Sequence, residues 1–102
     1  MNRQQLSARL INAAATRTAT TPLTDEYPDL DVATAYEIQD EVIAARTSAG
    51  AVVVGAKLGL TSAAKQQQMN VSEPLYGILT DDMLIDTGAN LVCDRFIQPR
   101  CE

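Results

Sequence analysis

The sequence predicts an α+β fold. Apolar residues recur at helical spacing through the first half, and the texture changes after Gly50 to valine-rich and short extended segments. Residues 1–50 therefore read as an amino-terminal helical region, and residues 51–102 as the start of a β-rich domain.

The first helix is expected over residues 2–16, where Leu6, Leu10, Ile11 and Ala14 recur at three- and four-residue steps and give one apolar face. Residues 16–28 are rich in threonine and contain proline, and they read as a loop. Asp31 is a suitable N-cap for a second helix whose face is drawn by Val32, Ala35, Tyr36, Gln39, Val42 and Ile43. Arg46 suits the negative end of that helix, and Gly50 is a natural stop just past it.

Residues 51–58 read as a buried strand because they are rich in valine. Residues 61–69 read as a short helix capped by Thr61 or Ser62. Pro74 restarts an extended segment that runs to Leu79. Residues 83–85 and 91–93 read as short strands around a turn at 86–90, and residues 96–101 as a further strand that Pro99 confines to an edge or bulge. With the last strand unfinished at Glu102, the sequence is expected to be the front part of a longer protein.

Composition excludes several functions. Thirteen acidic residues against eight basic ones give a net charge of −5, which argues against the basic face that phosphate contacts require. There is no histidine, so zinc fingers and histidine-based triads have no material. Cys93 and Cys101 fit no common metal spacing and are expected to be small buried apolar residues. The longest apolar run, residues 51–54, is far too short to span a membrane, and the first ten residues lack the apolar core of a signal peptide. A cytosolic protein with reduced thiols is expected.

The densest stretch is Gly55-Ala56-Lys57-Leu58-Gly59-Leu60-Thr61-Ser62. A lysine between two glycines ends an apolar strand, and a helix opens just after it. Glycines let a ligand approach the backbone, and a helix start offers free N–H groups, so the stretch is a candidate site for a carboxylate or phosphate. A strand-to-helix turn with a surface lysine explains the same residues. Thr61 and Ser62 serve as substrate contacts or as caps, and Arg100 as a bidentate carboxylate clamp or a structural ion pair. Lys65-Gln66-Gln67-Gln68 reads as an exposed polar helix face or a substrate contact. Asp81 and Asp82 read as a turn or a solvated face rather than a metal site, because adjacent residues in a strand point to opposite faces.

Several motifs in order carry a resemblance: Tyr27-Pro28-Asp29, Ala35-Tyr36-Glu37-Ile38-Gln39, residues 55–62, Lys65 to Met69, Glu73-Pro74-Leu75-Tyr76-Gly77, and Ile97 to Glu102. Together they resemble the amino-terminal portion of the hydratase and decarboxylase branch of the fumarylacetoacetate hydrolase superfamily. These are 4-oxalocrotonate decarboxylases and 2-oxopent-4-enoate hydratases, which act in the meta-cleavage breakdown of aromatic compounds.

The resemblance implies a β-rich catalytic fold and a divalent ion, Mg2+ or Mn2+, held by acidic residues. Glu102 falls at the first member of the family's Glu-x-Glu pair; the later ligands lie beyond this sequence. The ion would chelate a small 2-oxo acid and stabilise an enolate, with Lys57 as the catalytic side chain beside it and Leu60, Thr61, Ser62, Leu75, Tyr76 and Arg100 contacting substrate. Position 75 separates the two activities. Hydratases of the family carry an aspartate there for proton work, whereas Leu75 and Tyr76 resemble the decarboxylase pattern; core packing explains the same two residues. Two further alternatives are a hydratase and a non-catalytic fragment or association subunit. Homo-oligomers, or a complex with the partner hydratase, are implied; nucleic acid and membrane are not.

Overall fold

The computed structural model describes residues 1–101. Its order is α1 (Arg3–Thr16), α2 (Leu23–Glu26), α3 (Val32–Ser48), β1 (Val53–Gly59), α4 (Ala63–Gln68) and β2 (Leu75–Thr80), with single 3-10 turns at Asp81–Met83 and Cys93–Arg95. The α+β expectation holds. Two compact units are formed, Met1–Ala45 together with the chain from Ile85 onward, and Arg46–Leu84.

In the first unit, the Asn2 side chain caps α1 by accepting from the Gln5 N–H at 3.2 Å. Arg17 ends the helix in the left-handed region (φ 54°). Asp31 caps α3, as expected, by accepting from the Thr34 N–H at 2.8 Å. That bond holds the Asp31 carboxyl below its usual range.

The apolar core comprises Leu6, Ala13 and Ile38, which retain 4%, 9% and 2% exposure. The expected faces hold in part: Leu6 is buried, and Leu10 and Ile11 on α1 and Tyr36, Gln39, Val42 and Ile43 on α3 are half-buried. Ala13, not Ala14, is the buried alanine of α1, and α3 turns Ile38 inward while Val32 and Ala35 are exposed. Alanine spacing is uniform enough around α1 that several faces fit, and only the partner decides which is buried.

Polar groups also tie α1 to α3. Arg3 reaches Glu37 and Glu41, each at 2.6 Å, and the buried Ser7 hydroxyl donates to Glu41. The Ser7 bond, then Arg3, hold the Glu41 carboxyl below its usual range. Arg9 pins the connection that follows, donating to Thr20 Oγ1 at 3.0 Å, Thr21 Oγ1 at 2.7 Å and Glu26 at 2.9 Å. The connection expected to be a plain loop contains α2, a single turn whose Asp25 and Glu26 suit its positive end.

In the second unit, β1 and β2 form an antiparallel ribbon. Its register runs Gly55↔Leu79, Ala56↔Ile78, Lys57↔Gly77, Leu58↔Tyr76 and Gly59↔Leu75, with an irregularity between Val53 and Gly55. The open end is tied by Asp81, whose N–H donates to the Val52 carbonyl at 2.8 Å and whose carboxylate accepts from the Val52 N–H at 3.0 Å. Beside it, Arg46 donates to Asp82 at 2.8 Å, and the fully buried Thr80 donates its hydroxyl to the same carboxylate. Those bonds hold Asp82 below its usual range, Thr80 contributing most. Gly50 takes φ 110°, which only glycine adopts readily, after α3 as expected.

Three further expectations are corrected. β1 is not buried, because Val53 through Leu58 are all exposed. Valine content reports strand preference, whereas burial needs a covering layer, and none is present among the described residues. Residues 83–85, 91–93 and 96–101 are not strands; they are 3-10 turns and irregular chain, since a strand needs a partner along its length. The turn at 86–90 does form, closed by the Ala89 N–H to the Asp86 carbonyl at 3.0 Å. Cys93 and Cys101 are free and exposed, not buried.

Candidate active site

Lys57 lies in mid-β1, directly across from Gly77. Opposed residues of an antiparallel pair share a face, and successive residues along a strand alternate faces. One face of the ribbon therefore carries Gly55, Lys57 and Gly59 with Leu75, Gly77 and Leu79; the other carries Ala56 and Leu58 with Tyr76 and Ile78. A Cβ added at Gly55 or Gly59 would meet nothing within 4 Å. Lys57 thus rises from a strip with glycine before it, after it and across from it. Leu75 is its diagonal neighbour, at a spacing of roughly 7–8 Å that long side chains bridge.

Beyond Gly59 the chain turns sharply. Leu60 adopts φ 55°, a left-handed conformation that leucine rarely takes. Ser62 is extended and caps α4, its hydroxyl oxygen accepting from the Lys65 N–H at 3.2 Å. This favours the capping reading of Ser62. Its own side chain meets one of the N–H groups that the anion-site reading left for a ligand, and α4 is only six residues long. The Gln66 side chain reaches back and donates to the Leu60 carbonyl at 3.0 Å. Lys65, Gln67 and Gln68 form the exposed polar face expected, but Gln66 is half-buried and belongs to the turn. A run of three glutamines gives no hint of which one folds back.

The sequence-named residues are thus partly assembled. Lys57 and Leu75 share a face, Leu60, Thr61 and Ser62 follow directly from its strand, and Tyr76 stands on the opposite face opposed to Leu58. Arg100 is exposed in irregular chain and belongs to the other unit. Glu102, named as a metal ligand, lies outside the described residues. A groove of about 350 Å³ in the helical unit, lined by Tyr27, Asp29 and Asp31 among others, contains none of the named site residues. Among the described residues, no group of three or more acidic or cysteine side chains is arranged to hold a metal ion. They do not by themselves fit a divalent ion. No helix among them is long and apolar enough to cross a membrane.

No protein-family model matches the chain, but individual proteins do. The 4-oxalocrotonate decarboxylase of Pseudomonas putida is 36% identical over 105 residues, which cover all of this chain and 40% of that protein. The 2-oxo-hept-4-ene-1,7-dioate hydratase of Escherichia coli is 37% identical over 97 residues, 95% of this chain and 36% of that protein. The 2-hydroxypent-2,4-dienoate hydratase of Pseudomonas putida is 37% identical over 99 residues, 96% of this chain and 45% of that protein. Among solved structures, 4-oxalocrotonate decarboxylase from Pseudomonas putida G7, complexed with magnesium and adipate, matches with a TM-score of 0.72 and 36% identity over 80% of this chain and 32% of that chain. The same enzyme complexed with calcium and acetate gives a TM-score of 0.71 at 35% identity.

Fold and sequence together place the chain among relatives named as decarboxylases and hydratases. More particularly, it is homologous to 4-oxalocrotonate decarboxylase and the pentadienoate-type hydratases, as an amino-terminal portion of that family. It spans between 36% and 45% of the length of the curated relatives just named.

Proposed function

We propose that the protein decarboxylates 2-oxohex-3-enedioate (4-oxalocrotonate) to 2-hydroxypenta-2,4-dienoate, within a fumarylacetoacetate hydrolase-like fold. The C5–C6 bond breaks and CO2 leaves. The electron pair passes through the conjugated double bond to the 2-oxo oxygen, which takes up a proton from water. The Lys57 ammonium, on the glycine-cleared face, donates a hydrogen bond to that oxygen as charge develops on it. Leu60, Thr61 and Ser62 border the substrate, and Arg100 pairs with one of its carboxylates.

The observation that carries the decarboxylase reading is Leu75 beside Lys57. Leucine transfers no proton, and the hydratase pattern has an aspartate at this position. An apolar neighbour also disfavours an ionised carboxylate and so favours its loss. The adipate complex of the Pseudomonas putida G7 enzyme supports the substrate class, since adipate is a six-carbon diacid of the same length. Magnesium in that complex supports a divalent cation; Mn2+ would serve equally, and Glu102 would be among its ligands by the family's Glu-x-Glu pair. Exposed Val52, Val53 and Val54 support association, with a second copy or a partner hydratase.

A hydratase is the second reading, because hydratases are as similar in sequence as decarboxylases, at 37% against 36% identity. Full-length protein with magnesium, assayed for CO2 release from 2-oxohex-3-enedioate and for water addition to 2-hydroxypenta-2,4-dienoate, separates the two. CO2 release alone supports the decarboxylase; water addition alone replaces it with the hydratase.

A further inference from the structure

Leu60 sits between the strand that bears Lys57 and the helix capped by Ser62, in a left-handed conformation at φ 55°. A leucine there clashes with its own backbone, so something else must hold it. Two interactions are available locally. The Ser62 cap fixes the chain on the far side of Thr61. The Gln66 amide donates to the Leu60 carbonyl itself, in a partly buried bond of 3.0 Å that spans six residues. Gln66 is anchored in turn, its N–H donating to the Ser62 carbonyl at 3.0 Å and its carbonyl accepting from the Val71 N–H at 2.9 Å.

We propose that Gln66 is a positioning residue: it locks the left-handed Leu60 and so sets the direction in which Leu60, Thr61 and Ser62 meet the substrate beside Lys57. This rests on the lyase reading above. Gln66 does not touch the reacting atoms. Its bond selects one of two backbone conformations for the turn, and without it Leu60 relaxes to negative φ, carrying Thr61 with it.

The test uses full-length protein and Gln66→Glu, which keeps the shape but replaces the donor with a carboxylate that repels the Leu60 carbonyl. KM is expected to rise roughly tenfold with kcat little changed, as when a binding contact common to ground and transition states is lost. A merely destabilised protein would instead lose kcat per total enzyme at unchanged KM, and that result overturns the proposal. The second arm repeats the substitution in a Leu60→Gly background, where the left-handed conformation has little steric cost. There the added effect of Gln66→Glu should shrink to within about twofold; an undiminished tenfold effect contradicts the lock. If the wild type turns over neither substrate, the lyase reading fails on its own. Crystal structures of wild type and Gln66→Glu then decide the lock: Leu60 moving to negative φ sustains it, and an unchanged positive φ refutes it.

Discussion

Lys57 faces Gly77 across the β1–β2 ribbon, with Gly55 and Gly59 as its neighbours on the same face. Three glycines around one lysine leave its side chain standing over bare backbone. Elsewhere in a strand interior such glycines cost stability, of order 0.5–1 kcal/mol each relative to alanine. Around Lys57 they leave a strip of the ribbon face without side chains.

That clearance can be separated from folding. Gly55→Val introduces a side chain into open space, since a Cβ there meets nothing within 4 Å. Thermal unfolding of the full-length variant should therefore match or exceed wild type. Its kcat/KM for 2-oxohex-3-enedioate should fall at least about fivefold, because the new branches crowd Lys57.

Leu75→Asp puts a carboxylate diagonal to Lys57, where the two are expected to pair. CO2 release should drop about tenfold or more, as the ammonium is neutralised and the apolar wall is lost. Undiminished CO2 release from the variant would remove Leu75 from the account of which acid is processed.

The helical unit should weaken in acid. Glu41 is held below its ordinary value of 4.5, first by Ser7 and then by Arg3. A carboxyl depressed on folding stabilises the fold fully above its unfolded pKa, and that contribution disappears as pH falls through the lower folded value. Asp82 shifts in the same direction through Thr80 and Arg46. Melting temperature should accordingly decline below about pH 4.5. Glu41→Gln should lower it at pH 7 and converge on wild type in strong acid, which calorimetry across the pH range would detect.

These outcomes also mark what was legible in the sequence. Helix ends were, because caps act locally: Asp31 and Ser62 each hold an N–H three residues on, and Gly50 supplies a positive φ just past α3. β2 was readable from Pro74 and the apolar residues after it. Burial was not. Ile38 is the most buried apolar side chain of the core, yet the helical spacing left it out and drew the exposed Val32 and Ala35 in its place. The exposed valines of β1 illustrate the same point, since no local rule reports whether a layer covers a strand. Of the site, the Lys57 stretch was visible as a motif. The separation of Leu75 from Tyr76 onto opposite faces needed the register, and the contact from Gln66 to Leu60 needed the turn.

CO2 release from 2-oxohex-3-enedioate by full-length Lys57→Ala, measured alongside its melting temperature, decides whether the Lys57 ammonium drives the decarboxylation. Loss of about a hundredfold or more in kcat with an unchanged melting temperature is the predicted result. A folded variant that releases CO2 within twofold of wild type would contradict it.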